Sequence, residues 1–392
     1  MTHGRWWRGQ SRDPSGRYAP DLWPVGIVVG LTVVVVCAAG AGGYRIVYHL
    51  MQTVAGASRP AQTVNIADVV KLTIAILTLF GAVLAGVYAY RKQRIAEGDA
   101  HRADAIHFAE RFTTAAGQLG HETAAVRLAG VYAMARLADD WDEQRQVCID
   151  VLCACLRMPY EPDPESDSHR KGEREVRHTI IRVIRDHLDG SREWTSWSAC
   201  SFDFTRANFD GGDLSGSHFS GRVSFADAEF IGDAVSFTGA RFNGGGVTFN
   251  RAQFSDGTVA FCRAQFSDGT VAFRRAQFSG GTVSFDHAKF SGGTVTLDDA
   301  QFTGGTVTFY NAQFTDGAVS FSYAQFISST VTFHHAKFSG GTVALDHAAF
   351  ISSTVAFVRA RLRGGTVTFD GARFTGADVR WGPLRPPEER PT

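Results

Sequence analysis

Residues 278–295 read FSGGTVSFDHAKFSGGTV, so the string FSGGTV returns after twelve positions. The same spacing holds on both sides. Val recurs at every twelfth residue from Val223 to Val367, thirteen times without an insertion, and Ala follows each Val five residues later, from Ala228 to Ala372. Two places after each Val stands Phe, except at Leu297 and Leu345, and two places after each Ala stands Phe, except at Leu362. The unit is V-x-F-x-x-A-x-F-x-x plus two residues, usually Gly-Thr. A fixed short period implies a solenoid, in which each turn of chain touches only the turns above and below it. The repeating apolar residues are then the inward ladder: Val283, Phe285, Ala288 and Phe290 in one unit, and Val307, Phe309, Ala312 and Phe314 two units later.

The five-residue halves V-x-F-x-x and A-x-F-x-x resemble the pentapeptide-repeat family. The stretch ANFDGGDLSGSHFSG, together with Phe204 just before it, keeps the plain five-residue spacing at Phe204, Phe209, Leu214 and Phe219. The resemblance covers about residues 200 to 381 and implies a right-handed four-sided β-helix with one pentapeptide per side. Two residues added after every second pentapeptide lengthen the coil from four plain pentapeptides to a pair of twelve-residue units, and they widen alternate corners. Gly281, Gly293 and Gly305 are expected to supply backbone freedom there. A coil made of a single twelve-residue unit, which the ladder of Thr258, Thr270, Thr282 and Thr294 would suit, has no room for two facing columns of rings. About one 20-residue coil and six of 24, at roughly 4.8 Å each, give a rod about 35 Å long. Trp381 falls on a ring position of a fourteenth unit and is expected to cap the C-terminal end, with Trp194 and Trp197 doing the same before the first coil.

Two apolar runs precede the repeats, uncharged from Leu22 to Tyr44 and from Leu72 to Tyr90. Each is about the length that crosses a hydrocarbon layer of roughly 30 Å as a helix. Arg5, Arg8, Arg12 and Arg17 precede the first run, and Arg91, Lys92, Arg94 and Arg102 follow the second. The connecting loop has only Arg45, Arg59 and Lys71. By the positive-inside rule this predicts a hairpin with both termini in the cytoplasm, at a bacterial inner membrane. A signal peptide cleaved near Ala39 and Ala41 is the alternative for the first run. The motif GIVVG, Gly26 to Gly30, offers a helix-packing face and hence a homodimer.

From Arg94 to Leu188 the composition turns to Ala, Leu, Arg and Glu, a helix-forming mixture. Four helices are expected, in ADAIHFAERFTTAAGQLG, TAAVRLAGVYAMARLA, EQRQVCIDVLCACLRM and EREVRHTIIRVIRDHL. The first presents Ile106, Ala109, Phe112 and Ala116 on its buried face, and Gly117 and Gly120 mark its end. The central pair resembles a single HEAT or armadillo unit, and the block as a whole resembles one that lies between membrane helices and pentapeptide repeats in bacterial proteins. It either relays a signal or caps the solenoid.

The predicted organisation is a cytoplasmic segment (1–22), a first membrane helix (23–44), an external loop (45–70) and a second membrane helix (71–91). A cytoplasmic helical module (92–190), the β-helix (191–381) and a disordered tail (382–392) follow. The fold class is therefore mixed: a transmembrane helical hairpin, a small all-α module and a pentapeptide-repeat solenoid.

The chain carries 39 basic and 39 acidic side chains, which favours neither nucleic acid nor an acidic partner. Between residues 199 and 381 there are 15 acidic and 14 basic side chains. That near-neutrality argues against an acidic DNA mimic that binds a topoisomerase, as some members of the family do. Six cysteines form no disulfide frame: Cys148, Cys153 and Cys155 fall in an apolar helical pattern, and no second pair or His completes a zinc site with Cys153 and Cys155. His287, His334, His335 and His347 lie outside the ladder, near Asp286 and Asp346, where a metal or an acid/base pair comes into question. At 24 residues per coil, however, His287 and His335 stand two layers, about 10 Å, apart. No nucleophile elbow or phosphate-binding loop occurs. The expectation is a scaffold without catalytic, metal or cofactor-binding residues, whose partners are the lipid bilayer and a second protein. The alternative is a membrane-linked regulatory subunit acting through the helical module.

Overall fold

The computed structural model describes residues 66–189 and 195–384, apart from 244, 256 and 268, with scattered residues between 30 and 53. Between 66 and 101 only part of the side chains is described. Two units are distinguished, Met1–Asp104 and Ala105–Thr392.

Helix α1 runs from Ile66 to Leu119, 54 residues without a break. Judged on the described residues alone, no helix is long and apolar enough to cross a membrane, and the expected hairpin is not found. The first expected span, 23–44, lies largely outside the described residues. The second, 71–91, falls inside α1, which continues past the charged cluster at its end because nothing from Arg91 to Leu119 is a strong breaker. The GIVVG motif, except Gly30, and Trp194 also lie outside the described residues, as does the tail beyond Leu384.

In the second unit, α2 (Ala124–Asp140), α3 (Arg145–Arg157) and α4 (Glu173–Leu188) pack with the end of α1. The buried face of α1 matches the expected one in part: Phe112 and Ala116 pack against the core, but Ile106 and Ala109 are exposed, and Phe108, Ala115 and Leu119 turn inward instead. Phe108 is drawn round by a ring beyond the end of α2, packing edge-on against Trp141 at 5.9 Å and on Phe112 at 5.6 Å. Gly130 sits where α2 crosses the end of α1, since a Cβ there would stand 2.7 Å from the Leu119 nitrogen.

The repeats form parallel strands, mostly of three residues, in four ladders. Face one carries Val223, Val247, Val271 and their successors, face two Phe230, Phe254 and Phe278, face three Val235, Val259 and Val283, and face four Phe219, Phe242 and Phe266. Each residue pairs with its counterpart two repeat units on, as in Val271↔Val295 and Phe290↔Phe314, so a pair of twelve-residue units makes one coil. Eight strands on face one give about seven turns.

The first coil is not the turn of four plain pentapeptides that its spacing led us to expect. Phe202 pairs with Val223 and Phe209 with Phe230, one position further on than four pentapeptides would place the partner. Asp213 pairs with Ser236 and Phe219 with Phe242, three positions further on. The register shifts between Asp210 and Gly212, where the partner strand has already acquired its wide corner.

Corners alternate between tight and wide. A tight corner is the four-residue turn from a Phe or Leu to the following Ala, closed by a bond such as Ala288 N–H to the Phe285 carbonyl at 3.0 Å. Its third residue is left-handed: Arg275 at φ 58°, His287 at 59° and Tyr323 at 61°. A non-glycine residue costs about 1–2 kcal/mol in that conformation. An inter-coil bond offsets it, as when His287 N–H donates to the Tyr310 carbonyl at 2.7 Å. Of the wide-corner glycines, Gly281 and Gly293 do take positive φ (51° and 65°). Gly305 does not; it is required by close approach, since a Cβ would stand 1.8 Å from the Gly280 carbonyl oxygen.

Candidate interaction surface

The inside of the tube is filled by its own side chains. Val283, Phe285, Ala288, Phe290, Val307, Phe309, Ala312 and Phe314 are all buried, none more than 5% exposed. Rings stack along each column, Phe249 on Phe273 at 4.6 Å and Phe309 on Phe333 at 4.7 Å. Across the tube they meet edge to face, as Phe249 and Phe261 do at 5.6 Å and 88°. Stacked and T-shaped contacts both suit the ring quadrupole. At the far end Trp381 lies edge-on to Phe369 (5.1 Å) and Phe374 (5.5 Å) while keeping some exposure.

Chemistry is therefore confined to the outside, where most of the polar residues considered as ligands have other tasks; His334 is the exception, its Nε2 buried without a hydrogen-bond partner. Asp286 Oδ1 accepts from Thr308 Oγ1 at 2.5 Å and from the Tyr310 N–H at 3.0 Å, one coil up. Asp346 Oδ1 accepts the Asp370 N–H at 2.9 Å, and Asp298 Oδ1 accepts from Ser320 and the Ser322 N–H. These carboxylates staple successive tight turns together. His287 and His335 are separated by Tyr310, whose ring lies 5.7 and 5.6 Å from theirs, and His347 stacks on Tyr323 at 4.9 Å. Among the described residues no group of three or more His, Cys, Asp or Glu side chains is placed to hold a metal ion.

Two opposite faces carry different outward columns. Face two presents Glu229, Gln253, Gln277, Gln301, Gln325, Ala349 and Arg373 in register. At its edge Arg251 forms two 2.6 Å bonds to Asp227, and Arg275 stands 3.9 Å from Asp299. The bond from Arg251 holds the Asp227 carboxyl below the usual carboxylate range. Face four presents Arg241, Lys289, Lys337 and Arg361, separated by Gln265 and Gln313. All four cations are exposed, and none has an ion pair among the described residues.

At the N-terminal end the open edge of the first coil is covered by the helical module. Arg177, 3% exposed, donates to the Asn208 carbonyl at 2.7 Å and to the Leu156 and Cys155 carbonyls at 2.5 and 3.3 Å. His178 Nε2 bonds to the Asp210 carbonyl at 2.7 Å, and Gln146 exchanges two bonds with the Ser201 backbone. Tyr160 and Arg174 both donate to Asp210 Oδ2, at 2.7 and 3.0 Å. Burial by itself would raise the Asp210 carboxyl, but those bonds outweigh it and hold it below its ordinary value. Arg185 pairs with Asp213 and Arg157 with Asp203. Trp197 is fully buried, stacked on His187 at 4.1 Å, with its indole N–H to Asp139 at 3.2 Å. Nothing in the spacing of EREVRHTIIRVIRDHL singles out Arg177 from its neighbouring arginines as the one turned inward.

Residues 204–246 match the family described as Pentapeptide repeats (9 copies). No curated protein matches the chain. The twelve-residue units beyond 246 continue the same four ladders without interruption. The matched segment is the start of a solenoid of about seven turns filled by that family's inward residues, and the chain is a pentapeptide-repeat protein.

Proposed function

We propose that this protein is a non-enzymatic, membrane-anchored scaffold whose β-solenoid presents a rigid surface to another protein in the cytoplasm. The observation that carries the reading is the division of labour in each coil. Every inward position is spent on packing, the polar side chains at the tight turns staple neighbouring coils, and the remaining variation lies in outward columns of fixed register. The anchor is supported by the uncharged run Leu72–Tyr90 and by exposed apolar side chains along it, among them Leu79, Val83 and Val87. The positive charge after Tyr90 supports the orientation. The helical module acts as the N-terminal cap, because its Arg177 and His178 satisfy carbonyls that an open edge strand would leave to solvent or to another chain. Protease treatment of intact and permeabilised cells tests the arrangement. The rod should be cut only after permeabilisation, and cleavage from outside in intact cells overturns it.

A further inference from the structure

From the outward column of face four we infer that this side of the solenoid lies on an anionic lipid surface. The inference rests on the membrane-anchored reading above and adds to it the orientation of the rod. Arg241, Lys289, Lys337 and Arg361 occupy equivalent positions on successive or alternate coils, with no carboxylate in the column from His218 to Arg361. Between residues 199 and 381 the only lysines are Lys289 and Lys337, both in this column. Arg263 and Arg359 stand on the adjoining tight turns, each in the left-handed conformation, and Arg363 follows Arg361 into the wide corner. The opposite face behaves differently: Arg251 and Arg275 find Asp227 and Asp299 one coil away, whereas the face-four cations form no ion pair among the described residues, and Asp316 stands beyond the column at the following wide corner. Asp286, beside the face, is already engaged by Thr308 and Tyr310.

The geometry suits a plane. Parallel strands keep the Cα atoms of the column in line, and five steps of about 4.8 Å place Arg241 and Arg361 roughly 24 Å apart. Lys289 and Lys337, two coils apart at about 10 Å, lie within one Debye length at 0.1 M salt. A flat bilayer meets all four cations at once. A duplex offers a convex surface of far higher charge density, usually bound by deeper or more basic sites. A tether holds the rod near the membrane, so a sparse column suffices for a contact that free diffusion would not sustain.

The test uses the full chain in nanodiscs of phosphatidylcholine alone or with phosphatidylglycerol, and reads lysine acetylation by mass spectrometry. With the anionic lipid, Lys289 and Lys337 should be modified about fivefold more slowly, as expected for an electrostatic contact that 0.5 M NaCl abolishes. Lys171, on the helical module, should be unchanged. The variant carrying Arg241→Gln and Arg361→Gln should lose the protection while melting like the parent. Equal rates in the two discs, or protection that survives in the variant, overturns the inference. Protection by duplex DNA in neutral discs with none from phosphatidylglycerol overturns it too and assigns the face to nucleic acid. Flotation with neutral vesicles separates the two readings. If the chain does not float, the anchor fails, and salt-sensitive flotation with phosphatidylglycerol vesicles, lost in the variant, then decides the face by itself.

Discussion

Phe309→Ser attacks the feature on which the rod depends. Phe309 is 1% exposed and touches five rings: it stacks on Phe285 (5.0 Å) and Phe333 (4.7 Å), tilts against Phe290 (6.5 Å) and Phe314 (6.0 Å), and meets Phe321 edge-on (6.2 Å). Removing a buried Phe side chain costs about 3–5 kcal/mol. The serine hydroxyl, with no partner among aromatic walls, adds about 1–3 kcal/mol. The expected loss of about 4–8 kcal/mol corresponds to a fall in melting temperature of roughly 10 °C or more. Because each coil is held by its neighbours, the damage weakens two coil interfaces at once, and the transition should split as the halves uncouple. Phe309→Leu is the internal control. Leu297 and Leu345 fill equivalent inward positions at 1% exposure, so leucine should cost only about 1 kcal/mol. Gln313→Ser, four residues away on the outer face, should stay within about 0.5 kcal/mol. Calorimetry of the four proteins checks the order. If Phe309→Ser and Gln313→Ser melt within a degree or two of each other, inward ring columns do not hold this fold together.

Gly305→Ala should break the rod locally despite its small size. The new methyl would sit 1.8 Å from the Gly280 carbonyl oxygen, so limited proteolysis should cut near this corner, while Gly239→Ala, with open space but φ 70°, should cost only about 1–2 kcal/mol. The contact between helical module and first coil should weaken in acid. The folded Asp210 carboxyl lies below its unfolded value near 4, so its contribution is present above that pH and is lost as pH falls through the folded value. Hydrogen-exchange protection in residues 173–188, corrected for the intrinsic rate, should fall on acidification, and Asp210→Asn should reduce that dependence, with Asp213 retaining a share. Burial pushes the Cys148 thiol up to about 11 and the Cys153 thiol up to about 12. Both should resist iodoacetamide at pH 8 until denaturant is added, and rapid alkylation of the native protein would refute their packing.

The ring columns are readable in the sequence because their cause is periodic. A residue that must stack on its counterpart in the next coil returns at a fixed interval, and the interval survives in the sequence. Features that depend on a single contact leave no such trace. The inward face of α1 turns on one meeting between Phe108 and Trp141, so regular spacing at Ile106 and Ala109 points the wrong way. Left-handed tight turns carry only a weak local mark because Arg, His and Tyr occupy most of them in place of glycine, with Gly239 and Gly371 among the exceptions. Their backbone strain is offset by bonds from the next coil, which no local pattern encodes. Arg177 is the same case on the helical side: a buried cation matched to three carbonyls from two segments, α3 and the first coil, is a property of the assembled junction.

That separation bears on how such a rod diversifies. Inward residues are fixed by stacking, and Asp286, Asp298 and Asp346 are fixed by stapling, but a residue such as Gln265 or Lys289 pairs through its backbone and points its side chain at solvent. Exchanging Lys for Gln in that column changes charge without touching the ladder. Two faces of one tube can therefore differ, one self-neutralised by Arg251 with Asp227, the other an unbroken run of cations and amides, at almost no cost to packing. Loss of the face-four charges should consequently leave melting unchanged while altering only what the rod lies against, a combination that a purely structural role for those side chains cannot produce.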